Sequence, residues 1–590
     1  MLRRLPVLVA AAVVGALAPV ARGEDVAAPP SAPTPPPPPA APAPDDAGPA
    51  SPTGRPGLPL RYRSPEEIEA ALRSIAARPP WGWPVRLERY GTSAAGRPLL
   101  ALRVGRPDAP QVLVHGGLGA RDAAGAAAAL AVADLVAPDV TPSEGGGGPR
   151  LPPPDDRVAW IVVPAPNPDA LASFLSGRPR WGGGDTDRDR DGRRGEDGPD
   201  DLDGDGEVLS MRRRRATGSF VPDDAPGKDG KVLGDPRAMR DAGVDARRAV
   251  SYDAPVPEGK DDDGDGVVDE DPPGTDVARN LMGFWDEMGA WPGDGDFPGS
   301  APEAKALMDL SYDAPALIGW YAFTSEGPRL ERASERGNDA DADDTLYGTL
   351  APAWREAAGG VELRKASERP GASENRGSDL DWAARHLGAV ALRVPVWRIV
   401  KEATVGRDRA DPDELDWLVW NDRVLGGKGF VPWHEVAHPT WGTVEVGGWR
   451  AFSRHEPPRD LLAGAVRSVL RVPLAHAAVA PRLSVVVEVE PRGAGLAVVR
   501  ARAGNVGGGP TETVRAERAQ RAHAVRLSLR AAEGVEVLAG PKVVGVGTLG
   551  AGAVSTPVEW LVRRAGPGAL GTVTAAHRVA GTATGEATLR

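Results

Sequence analysis

The sequence Gln-Val-Leu-Val-His-Gly-Gly-Leu-Gly-Ala-Arg-Asp occupies residues 111–122, and it decides the fold. Residues 111–115 form a short, mostly apolar run that suits a buried strand, and a glycine-rich loop follows them. The alanine-rich residues 123–136 then predict a helix. A buried strand that leads through a loop into a helix indicates an α/β sheet.

The flanking sequence extends this pattern in both directions. Ser64 and Pro65 predict the start of a helix that runs to about Ala77. Strands are predicted at residues 85–90, 96–104 and 157–163. We therefore predict an α/β fold with a mixed, mostly parallel sheet and helices on both faces, within residues 59–480. Short alternating segments after Ala480 predict an all-β sandwich at residues 481–590.

The N-terminus predicts export. Arg3 and Arg4 precede an apolar run at residues 5–20, as is typical of a secretory signal, here residues 1–23. An uncleaved anchor is the alternative, although the run is short for a membrane span. Residues 24–58 are rich in proline and alanine and predict an extended linker. We expect a periplasmic or extracellular protein without a stable membrane span after signal cleavage.

The composition excludes several function classes. The chain has 590 residues and no cysteine, which excludes disulfides, thiolate metal sites and a cysteine nucleophile. Its formal net charge of −12 argues against nucleic acid as a partner. The sequence does not predict an oligomeric state.

Four stretches carry a family resemblance: residues 116–122, 164–169, 276–280, and 381–382 leading to 395–397. In order and spacing they resemble the zinc metallocarboxypeptidases of the carboxypeptidase A type. The resemblance extends over about residues 60–480. It implies a carboxypeptidase-like domain, a zinc cofactor and the removal of C-terminal amino acids from peptides.

The positions at which this family carries its catalytic groups hold other residues here. The resemblance places two zinc ligands, a third ligand, a phenol and a general base at Gly119, Asp122, Phe323, Arg376 and Pro395, respectively. Glycine, phenylalanine and proline offer no side chain that binds zinc or accepts a proton. We therefore predict a degenerate member that has lost zinc-dependent hydrolysis and acts as a binding or structural pseudoenzyme.

Arginine is better retained at the positions implied for substrate binding. Arg279 keeps its type, although the preceding asparagine of the family is Ala278. Arg178 or Arg180 matches the arginine on the oxyanion side. These residues indicate binding of a peptide C-terminus or a cell-wall fragment; Arg279 as a structural ion-pair partner is the alternative. An active zinc carboxypeptidase with another ligand set, such as His115 with Asp122, also stays open.

A second zinc motif lies at residues 434–438. His434-Glu435-Val436-Ala437-His438 matches the His-Glu-x-x-His pattern, in which one helix face presents two imidazoles to zinc. Glu456 follows at the distance of a third ligand. Pro439 disfavours helical backbone at His438, so a packed, non-helical segment is the alternative to a zincin-type metallohydrolase.

Two acidic insertions, residues 185–210 and 258–273, predict calcium binding. An Asp-x-Asp-x-Asp-Gly pattern occurs three times, and carboxylates at alternate positions before a glycine turn suit calcium. The predicted ligands are Asp187, Asp189, Asp191, Asp201, Asp203, Asp205, Asp261, Asp263, Asp265 and Asp269. The alternative is a disordered, solvated acidic segment.

Overall fold

The computed structural model describes residues 57–78, 84–137, 158–177, 180–185, 187, 192–223, 234–241, 251–269, 274–283, 285, 295–333, 343–365, 377–398 and 413–590. All of them belong to one compact unit, Asp45–Arg590. The predicted signal and nearly all of the linker lie outside the described residues, as do Arg178, Asp189, Asp191 and Arg376.

The strands are numbered along the chain. They are β1 (Val85–Thr92), β2 (Pro98–Val104), β3 (Gln111–Gly116), β4 (Ala159–Val163), β5 (Ser210–Arg212), β6 (Phe220–Pro222), β7 (Met239–Asp241), β8 (Val256–Pro257), β9 (Leu317–Glu326), β10 (Leu330–Arg332), β11 (Leu363–Lys365), β12 (Val390–Trp397), β13 (Phe430–His438), β14 (Gly442–Trp449), β15 (Leu483–Gly493), β16 (Leu496–Asn505), β17 (Arg526–Ala531), β18 (Glu536–Ala539), β19 (Val544–Gly545), β20 (Val558–Arg563), β21 (Gly568–His577) and β22 (Gly581–Leu589).

The helices are numbered in the same way. They are α1 (Pro65–Ala76), α2 (Ala123–Val136), α3 (Pro168–Leu175), α4 (Pro302–Tyr312), α5 (Asp344–Ala357), α6 (Asp379–Asp381), α7 (Glu414–Trp420), α8 (Leu462–Arg467), α9 (Val472–Ala478) and α10 (Val514–Arg518). A 3-10 turn spans Val277–Arg279, and π-helical turns continue α6 over Trp382–Leu387 and α7 over Asn421–Leu425. None of the helices in the described part of the chain is long and apolar enough to span a membrane.

The main sheet has eight strands in the order β1-β2-β4-β3-β9-β12-β10-β11. Its centre is parallel, because β4, β3, β9 and β12 pair in one direction. The pairs β1/β2, β2/β4 and β10/β12 are antiparallel, and β10/β11 is parallel. The predicted mixed, mostly parallel sheet is confirmed.

Helices cover both faces of this sheet. One apolar core joins the sheet to α1, α2, α5, α8 and α9, and a second core joins the opposite face to α4 and the π-helical turn after α6. Val114, Phe323 and Val394 face the first core, whereas Leu113 and Ala322 face the second. This alternation follows from the pleat, since successive side chains of a strand point to opposite faces.

Helix α2 packs directly on the strands that carry the quoted motif. All its residues are buried, and small side chains let it approach the sheet closely. A Cβ on Gly125 would overlap the carbonyl of Phe323, and one on Gly116 would overlap the carbonyl of Gly125. The alanine-rich composition of this helix therefore reflects close packing at the centre of the fold.

Residues after Leu483 form two four-stranded antiparallel sheets, ordered β15-β16-β20-β18 and β19-β17-β21-β22. Their inner faces share one core, which includes Val499, Leu527, Trp560 and Val573. The predicted all-β sandwich is confirmed. It contacts the α/β part through the Asp343 carboxylate, which accepts a hydrogen bond of 2.6 Å from the Val514 N–H.

Candidate functional site

A pocket of about 450 Å³ lies at the edge of the sheet where the parallel strands β3, β9 and β12 end. Its lining includes His115 at the end of β3, Thr324 near the end of β9, and Pro395 and Trp397 near the end of β12. The carboxyl ends of parallel strands meet at one edge, and in open α/β sheets this edge is where ligands bind. The pocket is therefore the candidate site.

Asp122 is held in the pocket by the backbone. Its Oδ2 accepts a hydrogen bond of 2.8 Å from the Gly119 N–H, and its Oδ1 accepts one of 3.0 Å from the Ser325 N–H. Desolvation raises the pKa of the Asp122 carboxyl, although both N–H donors oppose that shift. Both oxygens thus serve to fix the loop to the end of β9.

Gly119 lies so close to the Asp122 carboxylate that a side chain at residue 119 would require this carboxylate to shift. A Cβ built on Gly119 would stand 2.7 Å from the Asp122 Oδ2. A ligand residue at this position would have to displace the loop contact that Asp122 makes. The hydrogen bond from the Gly119 N–H to the Asp122 carboxylate therefore stabilises the turn of this loop.

Phe323 lines the pocket together with its neighbours Ala322 and Thr324 on β9. It is 1% exposed and also packs in the core with α2. Its ring offers no atom that binds zinc, so this pocket position lacks a metal ligand.

Pro395 lies within β12 and pairs with Thr324 of β9. Arg393, two residues earlier, shares its face of the strand and reaches into the pocket. The face that would carry a general base therefore carries a proline ring and a guanidinium. Neither accepts a proton at neutral pH.

A buried ionic network forms the floor of the pocket. The His115 Nε2 lies 3.1 Å from the Asp379 Oδ2, which also accepts a hydrogen bond of 3.2 Å from the Trp320 indole. Arg393 donates to the Asp379 Oδ1 at 3.1 Å and to Glu331 at 3.3 Å. The Nδ1 of His115 is buried and has no hydrogen-bond partner among the described residues.

Arginine dominates the charge of the pocket lining. Six guanidinium groups face four carboxylates, a difference of two positive charges; the arginines are Arg279, Arg329, Arg364, Arg393, Arg398 and Arg454, and the acids are Asp122, Asp276, Glu331 and Asp379. Arg279 pairs with Asp276 at 3.5 Å, and Arg364 and Arg454 pair with Glu331 and Glu414, respectively. The pocket therefore favours an anion.

Arg398 is the arginine whose charge lacks a carboxylate partner among the described residues. Its Nη2 donates to the Ala358 carbonyl at 2.9 Å, while its Nη1 is buried without a hydrogen-bond partner in that part of the chain. Burial lowers the pKa of this guanidinium. A buried N–H without a partner is costly, so this group is suited to receive an anionic ligand.

The comparisons with known proteins agree with the resemblance found in the sequence. Residues 68–200 match the family model described as zinc carboxypeptidase, and residues 483–588 match a domain of unknown function, DUF8731. A search of curated proteins finds no match for the chain.

Solved structures of carboxypeptidases are similar to the zinc carboxypeptidase region and its surroundings. Bovine thrombin-activatable fibrinolysis inhibitor, in complex with tick carboxypeptidase inhibitor, is 12% identical, covers 71% of this chain and 98% of its own, and has a TM-score of 0.36. A metallo-carboxypeptidase from Burkholderia cenocepacia is 12% identical over 70% of both chains, with a TM-score of 0.33. Murein-tripeptide amidase from Escherichia coli O157 is 16% identical, over 56% of this chain and 89% of its own, with a TM-score of 0.26.

The residues of this zinc carboxypeptidase-type pocket do not fit zinc. Zinc sites of hydrolases use three protein ligands, commonly imidazoles and carboxylates. Here Gly119 has no side chain, Phe323 offers no donor atom, and both oxygens of Asp122 accept hydrogen bonds from backbone N–H groups. Within the described residues, only two acidic loops bring three or more potential ligands close enough to share a metal ion. The carboxypeptidase pocket is not one of them.

The His434/His438 motif is not a zincin site. Both residues lie on β13, an extended strand, where four residues span about 13 Å instead of one helical turn. The His438 Nε2 lies 3.0 Å from the Gly259 carbonyl, and the His434 Nε2 lies 2.9 Å from the Asp203 Oδ2. The zincin alternative for His434 and His438 is therefore wrong, because residues 430–438 form a strand and not the required helix.

We expect His438→Ala to leave the zinc content of the purified protein unchanged. The imidazole acts as a hydrogen-bonding link between β13 and the acidic segment at Gly259, so its loss removes about 1 kcal/mol of stability. Inductively coupled plasma mass spectrometry after dialysis measures the metal, and His455→Ala serves as the matched control. A zinc stoichiometry that falls only in His438→Ala would restore the zincin interpretation.

Glu456 has a structural role. The sequence had offered it as a possible third zincin ligand, which is wrong. It is fully buried and accepts hydrogen bonds from the Ala123 and Ala124 N–H groups, at 2.6 Å and 3.0 Å. Ser325 and Tyr62 donate to the same carboxyl through their hydroxyls. Burial raises its pKa well above the ordinary value. Glu456 therefore caps the N-terminus of α2 from a distant part of the chain.

The acidic loops at residues 201–206 and 261–266 have the same internal geometry. In each loop the first aspartate accepts from the glycine N–H groups three and five residues later, at Gly204 and Gly206 or at Gly264 and Gly266. The carboxylates of Asp201, Asp203 and Asp205 lie within reach of one ion, as do those of Asp261, Asp263 and Asp265. Of the third predicted loop, only Asp187 lies within the described residues.

Sequence reasoning missed the residues that give the pocket its charge. Asp379, Arg393 and Arg398 carry no motif of their own, and they meet only because α6 and β12 end beside the loop after β3. One signal was available. Arg393 is a charged residue inside the otherwise apolar strand segment 390–397, and a charge within a buried strand indicates a partner.

Proposed function

We propose that this protein is a carboxypeptidase-like pseudoenzyme that binds the C-terminal carboxylate of a peptide without zinc-dependent hydrolysis. The observation that carries the proposal is the Arg398 guanidinium, which lines the pocket without a carboxylate partner in the described chain. Guanidinium groups bind carboxylates through charge-assisted hydrogen bonds, which are among the strongest in proteins. A terminal carboxylate is the smallest peptide feature that supplies such an acceptor.

The size and walls of the pocket support a short peptide end. Its volume of about 450 Å³ lies in the range of small-molecule sites. Trp397 and Trp417 line it and are mostly buried, with their rings 6.0 Å apart in a tilted arrangement. These rings give apolar contact area beside the cationic groups. Such a combination suits a ligand with a charged end and an apolar or ring-shaped neighbour, including a cell-wall-derived peptide.

Arg279 contributes to the same pocket in a second way. It lies on the 3-10 turn Val277–Arg279 and pairs with Asp276 at 3.5 Å, a weak ion pair at the pocket edge. A ligand carboxylate would bind beside Asp276, since a guanidinium carries five N–H donors. We propose that Arg279 and Arg398 bind the carboxylate from two sides.

The experiment compares two probes that differ only at the C-terminus. Isothermal titration with N-acetyl-trialanine and with its C-terminal amide should show binding of the acid and little binding of the amide. Arg398→Gln should weaken binding of the acid by roughly 10- to 100-fold, the value of a charge-assisted hydrogen bond. Arg563→Gln, on the exposed face of β20, is the control and should change nothing.

Equal binding of the acid and the amide, or an unchanged affinity in Arg398→Gln, would refute the proposal. Release of alanine from the probe, with loss of activity on chelation, would instead support an active zinc carboxypeptidase with another ligand set. Circular dichroism of each variant shows whether it keeps the fold.

We also propose calcium, rather than zinc, as the metal of this protein, bound by the acidic loops. The support is the oxygen-only ligand set and the duplicated loop geometry described above.

Export is proposed from the apolar run at residues 5–20, and fractionation of an expressing bacterium tests it. Retention of the full-length chain in the cytoplasm would contradict export.

A further inference from the structure

The two acidic insertions pack against each other although about 50 residues of chain separate them. The Asp200 N–H donates to the Glu258 carbonyl at 2.9 Å, and the Asp262 N–H donates to the Asp197 Oδ1 at 3.1 Å. The Glu258 carboxylate is fully buried and accepts from the Leu202 and Leu209 N–H groups. Residues 197–209 and 258–269 therefore form one structural unit.

Buried carboxylate oxygens without partners lie inside this unit. Asp197 is 0% exposed, and its Oδ2 has no hydrogen-bond partner among the described residues. In the same part of the chain, both carboxylate oxygens of Asp269 are buried and lack partners. Buried ionised carboxylates are stable only when they are paired or coordinate a metal. These three oxygens therefore indicate a bound cation.

The two aspartates lie beside the same short segment, residues 259–262. The Asp262 N–H donates to Asp197 at 3.1 Å, and a Cβ on Gly259 would overlap the Asp269 carboxylate. The carboxylates of Asp197, Asp200 and Asp262 add negative charge near Asp269. Lys260 pairs with Asp200 and Asp262. One ammonium among four carboxylates leaves three negative charges without compensation.

We infer that Asp197 and Asp269 bind a calcium ion that joins the two acidic insertions beside the loop at residues 261–266. All candidate donors are oxygens from carboxylates and backbone, the set that calcium prefers, whereas zinc favours nitrogen or sulfur. Asp197 had no place in the sequence motif. The site therefore extends the motif-based prediction by one ligand from a separate segment, and it rests on the proposal that calcium is the metal.

The first test is a calcium titration of the full-length protein after chelation. Wild-type protein should bind calcium in the range of about 0.1–1 mM that is usual for extracellular modules. Asp197→Asn and Asp269→Asn should each lose one bound ion or weaken its affinity by roughly tenfold or more, since each removes a charged ligand. Asp309→Asn, an exposed aspartate paired with Lys305 on α4, is the charge-matched control and should bind like the wild type.

The second test compares how Asp197→Asn changes the melting temperature in EDTA and in excess calcium. In EDTA, Asp197→Asn should raise the melting temperature, because it removes a buried charge that has no partner. In excess calcium the same variant should melt below the wild type, because it has lost a ligand. A carboxylate with a purely structural role would give the same sign in both buffers, and that outcome would overturn the inference.

The remaining outcomes separate this inference from the proposals on which it rests. Absence of calcium binding by the wild type at about 10 mM, well above the usual range, would overturn both the calcium proposal and this site. Calcium binding that is equal in the wild type, Asp197→Asn and Asp269→Asn would leave calcium at the loops and refute the joined site. Magnesium that binds as well as calcium would refute the assignment of the ion. None of these results depends on whether the pocket binds a peptide.

Discussion

Replacing Arg393 with methionine should destabilise the protein by about 4 kcal/mol, because breaking a buried ion pair leaves the partner charge uncompensated. Arg393 donates to the Asp379 Oδ1 at 3.1 Å and to Glu331 at 3.3 Å, and both carboxylates are buried. Glu331 keeps Arg364 as a second partner, so most of the cost falls on Asp379. Urea unfolding at pH 7 measures the free-energy difference.

The pH dependence of this effect follows from the Asp379 carboxyl. Burial would raise its pKa, but the hydrogen bond from His115 and the charge of Arg393 hold it well below the ordinary value. A carboxyl with a lowered pKa in the folded state adds stability above its unfolded-state pKa, about 3.9, and loses it as the pH falls through the folded-state pKa. The gap between the wild type and Arg393→Met should therefore be largest near neutrality and narrow below about pH 4.

Arg563→Met is the control for Arg393→Met. Arg563 forms an exposed pair with Glu536 at 3.3 Å, and such pairs contribute about 0–1 kcal/mol. If Arg393→Met were no more destabilising than this control at pH 7, the buried network would not hold the pocket floor. A gap that stayed constant down to acidic pH would show that Asp379 is not the group affected.

Replacing Glu456 with leucine should cost about 4 kcal/mol, because it leaves several buried donors without an acceptor. The carboxyl accepts hydrogen bonds from the Ala123 and Ala124 N–H groups, at the start of α2, and from the hydroxyls of Ser325 and Tyr62. Helix α2 packs on the central strands, so an unsatisfied start of this helix weakens the centre of the fold.

Glu456→Gln is the matched control, since it keeps the length of the side chain and one acceptor oxygen, while an N–H donor replaces the other oxygen. Burial raises the pKa of Glu456, so the neutral side chain of glutamine suits this interior site. We expect this variant to lose less stability than Glu456→Leu, as measured by thermal and urea unfolding. Equal losses in the two variants would show that the acceptor retained by glutamine does not stabilise the start of α2.

Much of the α/β fold could be predicted from local patterns. Helix α2 was predicted over residues 123–136, which is its observed span, and the strand predicted at residues 111–115 is β3. Neither element is amphipathic, because both are buried on every side; the length and alanine content of the first and the short apolar run of the second identify them. The alternation of apolar and polar residues in the C-terminal part predicted the sandwich, whereas tertiary pairing sets the strand order of its two sheets.

The candidate site was less accessible to sequence reasoning. Motif order located the pocket, because Gly119, Asp122, Arg279 and Pro395 do lie around the strand ends. The same reasoning did not foresee that Phe323, which lines the pocket, also packs in the core with α2. It also left open a helix at residues 434–438. This segment instead pairs with β14 as a strand of a hairpin. Side-chain direction depends on register, and register is not a local property.

The sequence by itself determined the α/β class, the similarity of residues 68–200 to zinc carboxypeptidases, and the absence of ligand side chains at Gly119 and Pro395. These depend on residue type and local pattern, which the chain carries wherever it folds. Only the tertiary structure decided that Arg398 lacks a carboxylate partner in the described chain, that Glu456 caps α2, and that Asp197 accepts a hydrogen bond from the other acidic insertion at Asp262. Each of these depends on polar groups from segments that are far apart in the sequence and meet in a low-dielectric interior. No local sequence pattern shows which distant segments will meet.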